Sequence, residues 1–256
     1  MPDYSPSLLQ RIDSLRQNGS IPEHVAIIMD GNARWARRRD KAIPEGHREG
    51  VRSTKAVADL CGEIEEIKVL TLYAFSTENW SRPEYEIQAL MQLLKEWLRR
   101  EVDRMVEQNV RFETIGDESE FSESVREELD RTKRKTADND EYILNLALNY
   151  GSRDEITRAV RRMLEKCESG DLSPEDVTEE TIGQHLDTAH LPDPDFLIRT
   201  SGEKRLSNYL LWQLAYAEIF FPETLWPDFR EDEFLDALRE FQDRDRRFGD
   251  RKQVAD

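Results

Sequence analysis

The chain has 256 residues, of which 54 are acidic and 37 are lysine or arginine, so its formal net charge at pH 7 is −17. Affinity for a phosphate backbone needs a positive face, so this balance argues against a general nucleic-acid-binding protein, and any anion site must be local. Two cysteines are too few for a disulfide framework or a cysteine-based metal site, which is typical of a reducing cytosol.

The first 20 residues predict a short amphipathic helix that ends at Asn18-Gly19. A packing role is favoured over a membrane-surface role, because amphipathic helices more often cover a protein core. The longest apolar stretch, residues 209–221, is short and contains Gln213 and Glu218, and no signal peptide is visible, so we expect a soluble protein. The apolar residues of the N-terminal helix are Leu8, Leu9, Ile12 and Leu15.

Beyond this helix, short apolar runs alternate with segments of helical periodicity, which predicts a single α/β domain with a central, mainly parallel six-stranded sheet flanked by helices. In open parallel sheets ligands collect where strands end and helices begin, so functional residues are expected just after the apolar runs. The predicted strands are 25–29, 69–75, 110–115, 142–148, 196–198 and 218–221. The predicted helices are 47–62, 85–108, 119–136, 152–168 and 231–243.

A carboxylate follows the first predicted strand, at Asp30, and Gly31 and Asn32 come directly after it. A carboxylate supplies the hard oxygen that Mg²⁺ prefers, and N–H groups at a helix start attract anionic oxygens. Asp-Gly is also common in ordinary turns, so this segment alone leaves a plain turn and a metal-diphosphate site equally open.

Five cations follow this turn in an otherwise acidic chain. Their concentration predicts a local positive wall for an anion, and the alternative is a set of solvated helix arginines. The five are Arg34, Arg37, Arg38, Arg39 and Lys41.

Polar and aromatic residues mix after the second predicted strand, as a site for an amphiphilic substrate would require. The alternative is a well-capped loop that joins the strand to the next helix at Pro83. The polar residues are Ser76, Glu78, Asn79 and Arg82, with Glu86 farther on, and the aromatic residues are Phe75 and Trp80.

The helix that follows carries one long apolar stripe, for which core packing is the default explanation. The alternative is that part of the stripe, with Ala74 and the fourth strand, lines a long apolar tunnel for a hydrocarbon chain. The residues of the stripe are Leu90, Leu94, Trp97, Leu98 and Met105.

Two arginines and a hydroxyl follow the fifth predicted strand, at Arg199, Arg205 and Ser207. Guanidinium groups bind phosphate oxygens in pairs, so this set could receive a second diphosphate. Glu218 stands inside an apolar run, where burial is costly without a cation or a metal, and a buried ion pair is the alternative to a metal site.

Taken in order, these segments resemble the cis-prenyltransferase family, which includes undecaprenyl diphosphate synthases and their dolichol-making relatives. The resemblance runs from His24 to Gly249 and includes His-Val-Ala-Ile-Ile-Met-Asp-Gly-Asn-x-Arg-Trp-Ala, Gly-His-x-x-Gly and Leu-Tyr-Ala-Phe-Ser-Thr-Glu-Asn-Trp-x-Arg-Pro. The matching blocks are residues 24–36, 46–50, 72–83, 148–153, 198–208, 210–218 and 246–249.

The resemblance implies a Mg²⁺-dependent homodimer that adds isopentenyl diphosphate to an allylic diphosphate and releases pyrophosphate at each step. It implies Mg²⁺ at Asp30, a second metal position at Glu218, a proton acceptor at Asn79, and a reach of Arg247 and Gly249 into the partner's site. The implied substrate contacts are Gly31, Asn32, Ala33, Arg34, Trp35, His47, Ser76, Thr77, Glu78, Trp80 and Arg82, with Arg199, Arg205, Leu206 and Ser207 for isopentenyl diphosphate.

The chain departs from the family pattern at two positions. Ala33 replaces a common glycine and keeps the backbone N–H donor, whereas Ile43 stands where bacterial relatives usually place an arginine. The diphosphate contact of that arginine must therefore be absent here or be supplied by another cation: Arg37, Arg38, Arg39 or Lys41.

The resemblance also sets the expected boundaries: an N-terminal segment over 1–20, a catalytic domain over 21–249 and a polar tail over 250–256. We expect a cytoplasmic enzyme, without nucleic acid, that contacts membranes at most peripherally through a long-chain polyprenyl diphosphate for a lipid glycosyl carrier. The acidic composition favours an archaeal, salt-adapted type that starts from geranylgeranyl diphosphate, with farnesyl diphosphate as the other starter. Product length stays open.

Two other functions remain as alternatives. The chain could be a non-catalytic partner subunit of a heteromeric prenyltransferase, against which the retained Asp30, Asn79 and Arg199 argue. It could also be a phosphohydrolase that uses Asp30, but such an enzyme would need a further acidic metal cluster at another strand end, and none stands out.

Overall fold

The computed structural model describes residues 4–244, which contain one six-stranded sheet; numbered along the chain, its strands lie side by side in the order third, fourth, second, first, fifth and sixth. Every neighbouring pair of strands is parallel, so the predicted α/β fold with a mainly parallel sheet is confirmed. Strands of such a sheet are covered on both faces, which is why they stand out in the sequence as apolar runs. The strands are β1 (His24–Ile28), β2 (Val69–Ser76), β3 (Val110–Ile115), β4 (Tyr142–Tyr150), β5 (Phe196–Arg199) and β6 (Glu218–Phe220).

Eight α-helices connect and flank these strands in the described part of the chain. The short helices α2 and α7 have no apolar stripe of their own, and only the start of α2 was expected. They are α1 (Pro6–Asn18), α2 (Asn32–Arg37), α3 (Ile43–Glu63), α4 (Glu84–Glu107), α5 (Glu123–Lys135), α6 (Ser152–Ser169), α7 (Glu179–Gly183) and α8 (Glu231–Gln242).

Two helix starts differ from the prediction, each for a local reason. Helix α3 begins four residues early, because Pro44 is tolerated in a first turn and the Glu45 carboxylate accepts a hydrogen bond from the Ala42 N–H at 3.1 Å. Helix α5 begins late, at Glu123, because Glu118–Glu120 form a separate 3₁₀ turn.

Helix α1 packs on the body of the protein. Its Leu8, Ile12 and Leu15 are buried against the core, and Arg11 forms an ion pair with Asp232 of α8. The structure therefore confirms the packing role predicted for this helix. Among residues 4–244, no helix combines the length and apolarity needed to cross a bilayer.

The topology directs attention to one end of β1. This strand pairs with β2 on one side and with β5 on the other, so the direction in which successive strands are added to the sheet reverses at β1. In parallel sheets such a reversal opens a crevice at the carboxyl ends of the strands. Asp30 lies two residues beyond the end of β1, at this crevice.

Candidate active site

Asp30 is held by two arginines, one at the carboxyl end of β5 and one on α2. Its Oδ2 accepts a hydrogen bond from Arg199 Nη2 at 2.8 Å, and its Oδ1 accepts one from Arg34 Nη2 at 3.0 Å. The turn needs Gly31, whose φ of 114° lies in the left-handed region that side chains disfavour. Strand β1, strand β5 and helix α2 thus meet at one carboxylate.

The arginines also decide the charge of Asp30. Burial acts to raise the pKa of this carboxyl, but the hydrogen bonds from Arg199 and then Arg34 outweigh it and hold the pKa below its ordinary value. Asp30 is therefore ionised at neutral pH and available as an anionic ligand.

Arg199 ties the strand end to the loop that follows. Its side chain is 4% exposed, and Nη1 donates to Ser207 Oγ at 2.6 Å and to the Arg205 carbonyl. Within the described chain, four of the seven non-glycine residues with positive φ lie in this loop, between Ser201 and Leu210. Strained backbone tends to cluster at binding sites, and here the buried arginine holds it in place.

The predicted isopentenyl diphosphate residues of this loop differ in exposure. Arg205 extends into solvent and forms an ion pair with Glu203, whereas Ser207 touches Arg199. Leu206 packs at the edge of an apolar cluster. The loop thus brings Ser207 close to Asp30 and leaves the guanidinium of Arg205 at the rim.

The segment after β2 forms a 3₁₀ turn over Thr77–Ser81. Asn79 Oδ1 accepts a hydrogen bond from the Ser76 N–H at 3.2 Å, so its amide caps the turn. Trp80 donates from Nε1 to Asn149 Oδ1 at 2.8 Å and packs edge-on against Phe75. The loop is thus well capped, as one interpretation expects, and its residues Asn79 and Arg82 also line the crevice.

Arg82, Glu86 and His47 form a second charged group at the crevice. Arg82 Nη1 donates to Glu86 Oε1 at 2.9 Å, and His47 Nε2 lies 3.5 Å from the same oxygen. Burial, followed by the positive charge of Arg82, lowers the pKa of His47, so its ring is neutral at pH 7. Sequence reasoning had noted Glu86 without placing it in the site, although its position four residues after Arg82 was the available signal.

Helix α3 approaches the Asp30 turn closely because it carries two glycines on the facing side. A Cβ at Gly46 would stand 2.2 Å from the Asn32 carbonyl oxygen, and one at Gly50 would stand 2.3 Å from Asn32 Oδ1. The contact at Gly46 is with backbone and leaves no room for a side chain, whereas a Cβ at Gly50 would displace the end of the Asn32 side chain and would also stand 3.0 Å from Trp226 Cδ1. This close packing explains the spacing of the Gly-His-x-x-Gly segment. The same approach brings His47 to the crevice.

Two adjoining cavities open beside these residues. The polar cavity has a volume of about 310 Å³, and Asp30, Arg34 and Arg82 are among the residues that line it. The apolar cavity has a volume of about 170 Å³ and runs between β2, β4 and α4. Both cavities share the side chains of Met29, Asn32, His47 and Arg82.

The apolar stripe of α4 serves two purposes. Leu98 and Met105 are buried in the core, as packing predicts, whereas Leu90, Leu94 and Trp97 line the apolar cavity. Ala74 and Leu146 complete its wall from β2 and β4.

The cations after Trp35 separate into different environments. Arg39 lies over the Trp35 ring at 4.4 Å and forms an ion pair with Asp228, which also accepts a hydrogen bond from the Trp35 indole. Lys41 lies over the same ring at 5.2 Å. Arg37 instead lines the polar cavity. The predicted wall is thus divided between a tryptophan stack and the crevice.

Glu218 lies apart from Asp30 within one chain. Glu218 pairs in register with Phe196, which precedes Arg199 by three residues, or about 10 Å along the strand. Its strand, β6, is an edge strand of the sheet, and β5 lies between it and β1. The Glu218 carboxylate lies 3.3 Å from Arg244. The two predicted metal ligands therefore do not meet in a single chain, because β6 begins where β1 and β5 also begin. Arg247 and Gly249 lie outside the described residues.

No group of three or more metal-ligating side chains occurs in residues 4–244. An ion at Asp30 would thus have one protein carboxylate, and its other ligands would be substrate oxygens and water. Mg²⁺ commonly binds in this way, through one or two carboxylates and the phosphates of its substrate. The donor set fits such an ion.

Comparison with known proteins identifies the family. The family model described as putative undecaprenyl diphosphate synthase matches residues 28–249. The chain belongs to the cis-prenyltransferase family. It is 51% identical to the isoprenyl transferase of Bacillus subtilis over 90% of this chain and 88% of that protein. It is 47% identical to the farnesyl-diphosphate-specific ditrans,polycis-undecaprenyl-diphosphate synthase of Haemophilus ducreyi, over 90% of this chain and 95% of that protein.

A solved structure shares the fold. The lavandulyl diphosphate synthase of Lavandula x intermedia, in complex with dimethylallyl diphosphate, aligns with a TM-score of 0.88 at 39% identity, over 90% of this chain and 99% of that chain. The predicted family is therefore confirmed.

Proposed function

We propose that this cis-prenyltransferase condenses isopentenyl diphosphate onto farnesyl or geranylgeranyl diphosphate, with Mg²⁺, to make a long-chain polyprenyl diphosphate for a lipid glycosyl carrier. One observation carries this proposal: a polar cavity at Asp30 opens beside an apolar cavity, and the two share lining residues. An amphiphilic diphosphate needs this combination. We further propose that the enzyme works in the cytoplasm and contacts membranes through its product.

The allylic substrate would place its diphosphate in the polar cavity and its hydrocarbon in the apolar one. Arg34 and Arg82, together with the N–H groups around Gly31 and Ala33, would contact the phosphate oxygens. His47, uncharged and half-buried, would donate or accept a hydrogen bond without adding charge. Leu90 and Leu94 would line the path of the growing hydrocarbon and exclude water from it. The other proposed contacts of this substrate are Asn32, Trp35, Ser76, Thr77, Glu78 and Trp80.

Isopentenyl diphosphate would bind on the other side of Asp30. Arg199 and Ser207 would hold one phosphate, and Arg205 would close over the other from the rim, beside Leu206. As the allylic carbon–oxygen bond breaks, negative charge develops on the leaving pyrophosphate, and the guanidinium groups that turned to its oxygens when the substrate bound would stabilise that charge. The alkene of isopentenyl diphosphate then attacks the allylic carbon.

Asp30 would hold the Mg²⁺, which supplies electrostatic stabilisation of the diphosphate oxygens. Both carboxylate oxygens of Asp30 are engaged by arginines, so substrate binding would exchange these partners: Arg34 and Arg199 would turn to phosphate and release the carboxylate. The arrangement keeps the charges of the substrate-free site balanced.

Proton loss from the condensed product completes the cis double bond. An amide is not basic, and the Asn79 oxygen already accepts the Ser76 N–H. We therefore propose that Asn79 orients the reacting groups and that a diphosphate oxygen or water receives the proton.

We propose a homodimer in which Arg247 and Gly249 reach the partner's site. Glu218 is too far from the Asp30 of its own chain to share an ion with it. If Glu218 ligates the metal, it must do so across the dimer, and the edge strand β6 presents it for such a contact.

The test is a purified-chain assay with radiolabelled isopentenyl diphosphate, Mg²⁺ and each allylic starter, with mass spectrometry of the products. We expect long-chain products with at least one starter, and none when the metal is chelated. Absence of product with every starter would contradict the proposal and would favour a non-catalytic subunit. Release of orthophosphate without chain growth would favour a phosphohydrolase.

A further inference from the structure

Arg37 stands on α2, one turn after Arg34, and its side chain is an exposed part of the polar cavity wall. Ile43 and His47 line the same cavity, and neither supplies a positive charge there. After Arg34, Arg37 is the next cation along the chain from the Asp30 turn.

The arginines that line the polar cavity differ in their partners. Arg34 is neutralised by Asp30 and Glu203, and Arg82 by Glu86. Among residues 4–244, no hydrogen bond or ion pair to the side chain of Arg37 is found. An anion in this cavity would thus gain the charge of Arg37 without breaking an existing ion pair, whereas Arg34 and Arg82 must first share or leave a carboxylate.

The neighbouring cations are placed elsewhere. Arg39 is engaged by Asp228 and by the Trp35 ring, and Lys41 lies over that ring too. Arg38, the adjacent and equally exposed arginine, lines neither cavity. Of the four cations between Trp35 and Ile43, only Arg37 lines the polar cavity in the described structure.

We propose that Arg37 binds the diphosphate of the allylic substrate in the polar cavity and supplies the cation that Ile43 does not. This inference rests on the proposed function. Because isopentenyl diphosphate would bind at the Arg199 side of Asp30, Arg37 should affect the allylic substrate selectively. We expect its contribution in the affinity for this substrate.

The experiment compares Arg37→Gln with the matched control Arg38→Gln, which makes the same change at the next residue. Calorimetry with farnesyl thiodiphosphate, whose sulfur replaces the bridging oxygen, measures binding without turnover. A charge-assisted contact of this kind should be worth roughly 10- to 100-fold in affinity. We expect that loss for Arg37→Gln, with the same rise in the KM of the allylic substrate, and less than about a 2-fold change for Arg38→Gln.

A rescue variant separates charge from structure. Ile43 lines the same cavity, so Arg37→Gln combined with Ile43→Arg returns a cation to it from another position. Recovery of most of the lost affinity is expected and would support the proposal even if the single variant is less stable. A loss of affinity that the second arginine does not restore would overturn it.

Two further outcomes are distinct. If the wild-type chain elongates but Arg37→Gln and Arg38→Gln behave alike, the role of Arg37 is overturned and the proposed function stands. If the KM of isopentenyl diphosphate rises as much as that of the allylic substrate, the assignment of Arg37 to the allylic diphosphate is overturned. If the wild-type chain elongates no substrate, the proposed function itself fails.

Discussion

Replacing Asp30 by asparagine removes the charge that two arginines share. Arg199 is only 4% exposed and loses the carboxylate it contacts at 2.8 Å, so its guanidinium becomes a buried charge without an acidic partner. Arg34 is 36% exposed and keeps Glu203, so water and a second carboxylate compensate it. The free energy of unfolding should therefore fall mainly because of Arg199.

The size of this effect follows from the geometry. Removing one partner of a buried ion pair costs about 3–5 kcal/mol, and Asp30 itself is 25% exposed, so we expect about 3 kcal/mol. In a domain of this size, that change corresponds to a fall in Tm of roughly 6–12 °C. Loss of the carboxylate that is proposed to hold Mg²⁺ should lower kcat by about 100-fold or more.

A double-mutant cycle tests this reasoning. Urea unfolding of Asp30→Asn, Arg199→Gln and the double variant should show the double variant less destabilised than the sum by more than about 1 kcal/mol. Elongation assays with Mg²⁺ give kcat for the same proteins. Additive effects within about 0.5 kcal/mol, or near-normal kcat in Asp30→Asn, would refute the reasoning.

Three other predictions concern stability, packing and assembly. Burial lowers the pKa of His24 to about 4, so the unfolded chain binds more protons at this residue below pH 6.5, and the contribution of His24 to stability should fall by about 3 kcal/mol between pH 6.5 and 4. His24→Gln should remove this fall in urea titrations. Gly50→Ala should cost about 1–3 kcal/mol and reduce turnover, because its Cβ meets Asn32 Oδ1. Mixing and reassembling inactive Asp30→Asn and Glu218→Gln chains should restore part of the activity in mixed dimers.

Each of these predictions has a clear contrary result. Gly183→Ala is the control for the packing prediction, since a Cβ there meets nothing within 4 Å. Equal losses in both glycine variants would contradict close approach as the cause. A pH slope unchanged in His24→Gln would contradict the buried-histidine argument. Mixed dimers that stay inactive would argue against Glu218 acting across the subunits.

The secondary structure was predictable where the pattern was long or strongly apolar. All six strands and the five long helices predicted beyond α1 occur, because a doubly covered sheet needs continuous apolar runs and each flanking helix needs an apolar stripe. The short helices α2 and α7 bury too few side chains to leave such a stripe. Element ends moved where capping was decided by single side chains, as at Glu45.

The candidate site was predictable as a set of residue types and less so as an arrangement. Asp30 and Arg199 each follow a strand, and parallel strands bring their carboxyl ends together, so their meeting followed from the pattern. Glu86 was harder to assign, because an acid on a helix is usually solvated and its burial depends on His47 from another helix.

By itself the sequence determined the family, the parallel sheet and the chemistry at each strand end, since these depend on residue type and local spacing. Only the tertiary structure decided which side chains share a cavity. It placed Arg37 in the crevice and Arg39 on Trp35, and it separated Glu218 from Asp30. The physical reason is that side-chain direction and strand register are set by packing between distant segments, which local spacing does not encode.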